Sequence, residues 1–193
     1  GLALVCGLFL LAYGNPFLLL GAGVAIALCV PAYTAGPYPL AYRGWGDVCV
    51  LLFYGVIPVC LTYYVQAGTV TATTAWISVA LGLLSVNILL VNNVRDQEQD
   101  AAAGKRTTVV RFGRRFGTTL YLVCAVLAVA CSWPAYFYRG AYTWLLFLIF
   151  LAFELVTWHD LRRLSGSDLN RVLGLTARNI WIYTLLLVSL LVF

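Results

Sequence analysis

Apolar runs of about 20 residues recur along this chain, and nothing else in it restricts the fold as tightly. A helix of that length crosses the roughly 30 Å hydrocarbon core of a bilayer. Six such runs lie near residues 16–35, 46–66, 72–94, 118–138, 140–158 and 174–193, and a partial one covers 1–13. Only 10% of the residues are charged, and the mean hydropathy is +0.93. Transmembrane β-barrels show alternating segments of about 10 residues, and this chain has none. The expected class is all-α: a polytopic transmembrane helical bundle of about seven spans. Pro58 and Pro134 fall inside spans, where kinks are tolerated if neighbouring groups satisfy the freed backbone.

The chain opens with Gly in mid-helix and contains no Met. No basic segment precedes the first apolar run, which argues against a signal peptide. The expectation is that an N-terminal piece precedes residue 1. The six cysteines, at 6, 29, 49, 60, 124 and 131, all sit in apolar runs without a C-x-x-C pair. They read as small buried apolar residues, not as disulfides or zinc ligands.

Charge is distributed unevenly between the two sides that these spans define. One side carries Arg43, then Arg95, Lys105, Arg106, Arg111, Arg114 and Arg115, then Arg162, Arg163, Arg171 and Arg178. That is all but one of the 12 basic residues, leaving Arg139 alone opposite. Such a bias assigns the basic side to the cytoplasm. Asp47, Asp96, Glu98, Asp100, Asp160 and Asp168 lie on that same side, although the rule for basic residues does not require acids there. One-sided polar chemistry fits an enzyme whose water-soluble reactants come from the cytoplasm. It gives no reason to expect a nucleic-acid partner, and it leaves the oligomeric state open.

The stretch VNNVRDQEQDAAAGKRTTVVRFG, residues 91–113, concentrates the charge. Asn92, Asp96 and Asp100 are four apart, so a continuous helix puts them on one face, at the water edge of the fourth span. Two carboxylates one turn apart repel unless something positive lies between them. Hard divalent cations prefer oxygen donors, and magnesium binds through one or two carboxylates plus substrate phosphates. Gly104 ends the helix, and Lys105, Arg106 and Arg111 follow, suited to an anionic diphosphate. A solvated loop whose acids neutralise its bases would carry the same charges. The location favours a site, because polar groups such as Asn92 and Asn93 at membrane depth are costly.

At these residues the sequence resembles a known family. NNVRDQEQDAAAGKRTTVVRFG is similar to the second aspartate-rich motif of UbiA-type intramembrane prenyltransferases, closest to the MenA branch of 1,4-dihydroxy-2-naphthoate prenyltransferases. YTAGPYPLAYRGWGDV, residues 33–48, resembles that branch's loop between helices four and five. LNRVLGLTAR, 169–178, resembles the entry to its last helix. The resemblance runs over essentially the whole chain. It implies nine helices around a cavity, of which residues 1–193 would supply the third to ninth as one domain, without the first aspartate-rich motif. It implies Mg2+ as cofactor, a prenyl diphosphate (polyprenyl or phytyl) and an aromatic acceptor as partners, and prenyl transfer with decarboxylation in menaquinone or phylloquinone synthesis. Asp96, Asp100 and Asn92 would be the metal ligands, with Asp96, Asp100 and Lys105 catalytic. Asn93, Arg95, Arg106, Arg111, Tyr33, Tyr38 and Arg43 would bind substrate.

Some residues stay open. Tyr42 shares the tyrosine loop, whose aromatics could equally be an interfacial belt. Asp47 reads as a helix cap or a site residue. Glu154 is an intramembrane acid that could pair with Arg162 or His159. Arg162 and Arg163 could assist an anionic substrate, and His159 has no clustered partner for a metal. Competing readings are a homogentisate or 4-hydroxybenzoate acceptor, a transporter, and a CDP-alcohol phosphotransferase. No internal repeat supports the transporter, and the D-G-x-x-A-R string of the phosphotransferases is absent.

The charge bias predicts sidedness. An impermeant thiol reagent added outside should label Thr69→Cys and not Ala103→Cys, in a background without native thiols. The reverse pattern would overturn the topology.

Overall fold

The computed structural model describes residues 1–140 and 143–192. Its described residues form helices and turns without strands. We number them α1 (Leu2–Leu10), α2 (Pro16–Thr34), α3 (Gly46–Ala67), α4 (Ala72–Arg95), α5 (Gln97–Ala102), α6 (Thr108–Phe112), α7 (Arg114–Cys131), α8 (Trp133–Arg139), α9 (Trp144–Arg163) and α10 (Leu169–Val192). Six segments are long and apolar enough to span: α2, α3, α4, α7 with the start of α8, α9, and α10 with the turn before it. The protein is a multi-pass integral membrane protein. The partial seventh run is a helix of 9 residues followed by a 3-10 turn at Leu11–Tyr13, too short to cross alone. The expected span over 140–158 begins across residues 141–142, which lie outside the described residues, as does residue 193 of the last span. Its described helix starts later, at Trp144, and runs to Arg163.

Local chemistry explains the helix ends. Asn15 caps α2, its Oδ1 accepting from the backbone N–H of Phe17 at 3.0 Å and Leu18 at 3.3 Å, with Pro16 in the first turn. Thr71 caps α4 by accepting from Thr74 N–H. The prolines behave as expected. Pro58 leaves the Tyr54 carbonyl without its helical donor, and a π-turn over Leu52–Val56 absorbs the misfit. Ser85 of α4 directs its hydroxyl to that carbonyl at a long 3.5 Å. At Pro134 the helix breaks between α7 and α8. The Tyr136 hydroxyl reaches the freed Ala130 carbonyl at 3.4 Å, and the Ser132 hydroxyl donates to the Ala128 carbonyl at 2.9 Å.

The bundle centres on α4, the most buried span, packed against α3, α7 and α10. Ile77, Ala80, Leu84, Phe147, Phe150 and Tyr183 build one core. Val91, Val94, Val109, Tyr121, Leu161 and Leu169 build a second, at the end where α5 and α6 leave the bundle. No residue of α2 is buried. It stands at the edge of the bundle and forms one wall of a groove against α3.

Helices α3 and α4 cross at Gly55 and Gly82. A Cβ built on Gly55 would lie 2.2 Å from the Gly82 Cα, so only glycine permits this approach. Gly55→Leu should therefore lower the midpoint of thermal unfolding in detergent sharply, since overpacking a rigid contact costs about 1–3 kcal/mol or more. Gly21→Leu, where a Cβ meets nothing within 4 Å, should leave it unchanged. Equal midpoints would show that the helices part freely.

Candidate active site

The carboxylate motif straddles a break in the helix. Helix α4 ends at Arg95, and Asp96 is the joint, with φ −98° and ψ 11°, before α5. The single continuous helix expected over 92–100 is thus interrupted. The four-residue spacing survives, because Asp96 N–H donates to the Asn92 carbonyl at 2.9 Å and Asp100 N–H to the Asp96 carbonyl at 2.8 Å. Gly104 closes α5 as anticipated. At φ +73° its N–H donates to the Ala101 carbonyl, while Lys105 N–H donates to the Asp100 carbonyl. This double closure turns the chain so that Lys105 faces back over α5. Thr107 then caps α6 by accepting from Val110 N–H.

Asn92, Asn93, Asp96, Asp100 and Lys105 line one cleft of about 360 Å³, together with Tyr33, Tyr42, Asp47, Thr107 and Thr108. Both carboxylates already have partners. Arg95, itself outside the cleft lining, grips Asp96 with two hydrogen bonds, Nε to Oδ1 at 2.7 Å and a terminal nitrogen to Oδ2 at 2.8 Å. Its other terminal nitrogen donates to Oδ1 of Asn170 on α10 at 2.8 Å. Lys105 Nζ donates to Asp100 Oδ1 at 2.6 Å. Asp96 is half-buried and keeps some contact with water. Asp100 is buried beneath the turn that carries Lys105. Glu98 is exposed and does not line the cleft, in keeping with its place two residues from either aspartate.

The other sequence candidates divide by position. Tyr33 stands in the cleft. Tyr38 and Arg43 are exposed and pair with each other, the guanidinium 4.5 Å from the ring centroid, away from the cleft lining. Arg106 is exposed and enters the fold through its backbone N–H, which donates to the Tyr42 carbonyl at 2.9 Å. Arg111 is exposed and lies over the Phe112 ring. Neither lines the cleft. Asp47 lines it, with both carboxylate oxygens buried and without a hydrogen bond. The Thr108 hydroxyl approaches without bonding geometry.

Glu154 is fully buried inside the bundle and is paired with neither Arg162 nor His159. Arg162 stacks on Trp158, and His159 lies 3.8 Å from Asp160. Tyr121 and Asn179 approach the Glu154 carboxyl outside hydrogen-bond geometry. Sequence reasoning missed Thr107, Thr108 and Asn170. The threonines sat in the charged stretch, masked by the louder charges beside them, and Asn170 meets Arg95 only through the tertiary fold.

A second cavity of about 730 Å³ adjoins the cleft. It is mostly apolar, lined among others by Ile26, Val30, Phe53, Ile57, Leu61 and Ile88 from α2, α3 and α4. Tyr33, Thr34 and Leu89 border both spaces. A Cβ built on Gly46 would lie 3.3 Å from the Leu89 side chain, so this glycine lets α3 pack closely on α4 at the junction. The arrangement suits a ligand with a charged oxygen-rich head and a long apolar tail.

The profile of the UbiA prenyltransferase family matches residues 1–192. The 1,4-dihydroxy-2-naphthoate octaprenyltransferase of Haemophilus influenzae is 35% identical over 143 residues, 74% of this chain and 46% of that protein. The Escherichia coli protein of the same name is 40% identical over 118 residues, 58% of this chain and 38% of its own length. The 2-carboxy-1,4-naphthoquinone phytyltransferase of Synechocystis is 30% identical over 137 residues, 66% of this chain and 44% of its own. The chain spans about half the length of the curated relatives it matches. No solved structure matches it.

The two ion pairs set the pH behaviour of the cleft. Hydrogen bonds from Arg95 hold the Asp96 carboxyl below the usual aspartate range, against partial burial. The hydrogen bond to Asp100 holds the Lys105 ammonium above the usual lysine range, also against burial. The first pair stabilises above the ordinary aspartate pKa and is lost as pH falls through the lowered folded value. The second stabilises below the ordinary lysine pKa and is lost as pH rises through the raised one. Both are intact at neutral pH. Arg95→Gln should move the Asp96 titration back up toward ordinary aspartate, read from 13C carboxyl shifts of aspartate-labelled protein. An unmoved curve would mean that Arg95 does not hold it.

Proposed function

The chain belongs to the UbiA prenyltransferase family, and from that premise we propose that its cleft and groove hold a prenyl diphosphate for transfer to 1,4-dihydroxy-2-naphthoate. The observation that carries this reading is the shared border at Tyr33, Thr34 and Leu89. There a carboxylate- and cation-lined cleft opens into an apolar groove, matching an anionic head joined to a hydrocarbon tail. The relatives named for naphthoate octaprenyl transfer and for phytyl transfer support the same acceptor class. In this reading the cleft faces the cytoplasm, and the product enters menaquinone or phylloquinone synthesis. Residues 1–193 are one domain carrying the third to ninth helices, and an opposing aspartate-rich motif comes from a segment ahead of them.

The donor set fits magnesium. Asn92, Asp96 and Asp100 offer hard oxygen ligands from one cleft. Among the described residues no three acidic, histidine or cysteine side chains stand close enough to hold a metal by themselves. That suits an ion that takes its remaining ligands from substrate phosphate. When bound, magnesium supplies positive charge to the diphosphate, helping it to leave.

The chain's own residues do the rest. The groove holds the prenyl tail with its first allylic carbon near Tyr33. Lys105 and Arg95 stabilise charge on the departing diphosphate, which leaves with the electron pair of the broken C–O bond. The Tyr33 ring presents a π-face to the allylic cation. A ring carbon of the acceptor forms the new C–C bond, and its carboxyl leaves as carbon dioxide, returning its electron pair to the ring. The walls of α2 and α3 keep water from the cation.

The test is prenyl transfer against magnesium concentration, using membranes that express the complete reading frame. Asp96→Asn and Asp100→Asn should each lower turnover by about a hundredfold or more, whereas Glu98→Gln should stay near wild type. Lys105→Ala should raise the KM for prenyl diphosphate more than that for the aromatic acceptor. Equal losses in all three acidic variants, or none, would make the stretch an ordinary charged loop.

A further inference from the structure

Arg95 and Lys105 occupy the two carboxylates that the proposed reaction needs for its cation. Arg95 covers both oxygens of Asp96, and Lys105 sits 2.6 Å from one oxygen of Asp100. Between them these two carboxylates and their cations are electrically neutral, and a divalent ion arriving alone would have to displace the guanidinium from Asp96 and share Asp100 with a bonded ammonium. A diphosphate alters this balance. It offers Arg95 and Lys105 anionic oxygens as they release Asp96 and Asp100, so every charge keeps a partner through the exchange.

Arg95 is built for such an exchange. Its terminal nitrogen is held by Asn170 on α10, so the guanidinium has an anchor that does not depend on Asp96. Lys105 has a comparable second support. Its Nζ lies 5.7 Å from the centroid of the Tyr42 ring, on the wall of the same cleft.

We propose that Arg95 and Lys105 are counter-ions that hold the site closed to a lone divalent cation, so that metal and diphosphate enter only together, with Asn170 positioning Arg95 for the exchange. This deepens the prenyl-diphosphate reading and rests on it. The pairs store charge internally: Asp96 and Asp100 each face a bonded cation. They also set the order of events, because the partner swap is favourable only when the anion and the cation are both present.

The test is binding of Mn2+ alone, followed by electron paramagnetic resonance on the purified protein from its complete reading frame, with and without a non-hydrolysable prenyl diphosphate analogue. Wild type should take up Mn2+ weakly alone and much more tightly with the analogue. Arg95→Gln should bind Mn2+ alone about tenfold or more tightly than wild type, and lose affinity for the analogue. Asn170→Asp is the second variant. Its position is exposed, so folding is not at risk, and the new carboxylate should draw Arg95 off Asp96 and produce the same gain with no cation removed. Gln99→Asp adds equal charge at an exposed position of α5 and should give no gain. Tight Mn2+ binding by wild type without the analogue, or no gain in either Arg95→Gln or Asn170→Asp, would overturn the exchange while leaving the prenyl-diphosphate reading intact. Failure of wild type to take up Mn2+ even with the analogue would overturn the reading itself, and the exchange with it.

Discussion

Hydrocarbon offers a peptide group no hydrogen-bond partner, and the whole architecture follows from that constraint. Each unpaired N–H or C=O in the membrane costs several kcal/mol, of order 2–7 by transfer measurements. The spans are therefore helical, and the interruptions at Pro58 and Pro134 each come with a local remedy. At Pro58 the remedy is a π-turn and the Ser85 hydroxyl. At Pro134 it is the pair Ser132 and Tyr136. Residues that cannot be helical are pushed to the ends, and there the chain can afford α5, α6 and the turn at Gly104. The candidate site sits at one end of the bundle because that is where the backbone is free to bend.

Within that end, placement follows from two close fits. Gly55 and Gly82 let α3 and α4 approach to backbone contact. Gly117 of α7 leaves no room for a Cβ against Val109, a Cβ there falling 2.7 Å from the valine side chain, so α6 packs down onto the bundle. The first contact sets one wall of the apolar groove. The second fixes the segment that carries Thr107 and Thr108 into the cleft. None of these three glycines lines the cleft or the groove, yet they decide the shape of both.

The cleft is polar without being highly charged. Asp96 and Asp100 are matched by Arg95 and Lys105, and Asn170 ties this group to α10. Asp47 stands apart. Its oxygens are buried and lack a hydrogen bond, with one threonine hydroxyl nearby. A single hydroxyl can donate only one hydrogen bond to a group able to accept about four. Asp47 therefore adds unmet hydrogen-bonding capacity to a cleft whose other carboxylates are satisfied.

Sequence alone determined the spans, because burial in lipid depends on side-chain transfer energy summed along the chain, and that sum is local. It also determined the carboxylate spacing, since i to i+4 geometry is a property of one helix, and it survived the break at Asp96. The stop at Gly104 was equally local. The two ion pairs are local as well, Arg95 with its neighbour Asp96 and Lys105 with Asp100 five residues before it; only the tertiary structure decided which groups share a cleft. Arg106 and Arg111 follow Lys105 closely in sequence yet lie outside the cleft, because the double hydrogen bond at Gly104 turns Lys105 inward and the backbone of Arg106 is held by Tyr42. Tyr33 and Tyr42 line the cleft while Tyr38 does not, and Asp100 is buried while Asp96 is half-buried. Arg95 found Asn170, 75 positions away, through the packing of α10 beside α4. Distances between helices depend on how small residues let them approach, and no single segment of sequence carries that information.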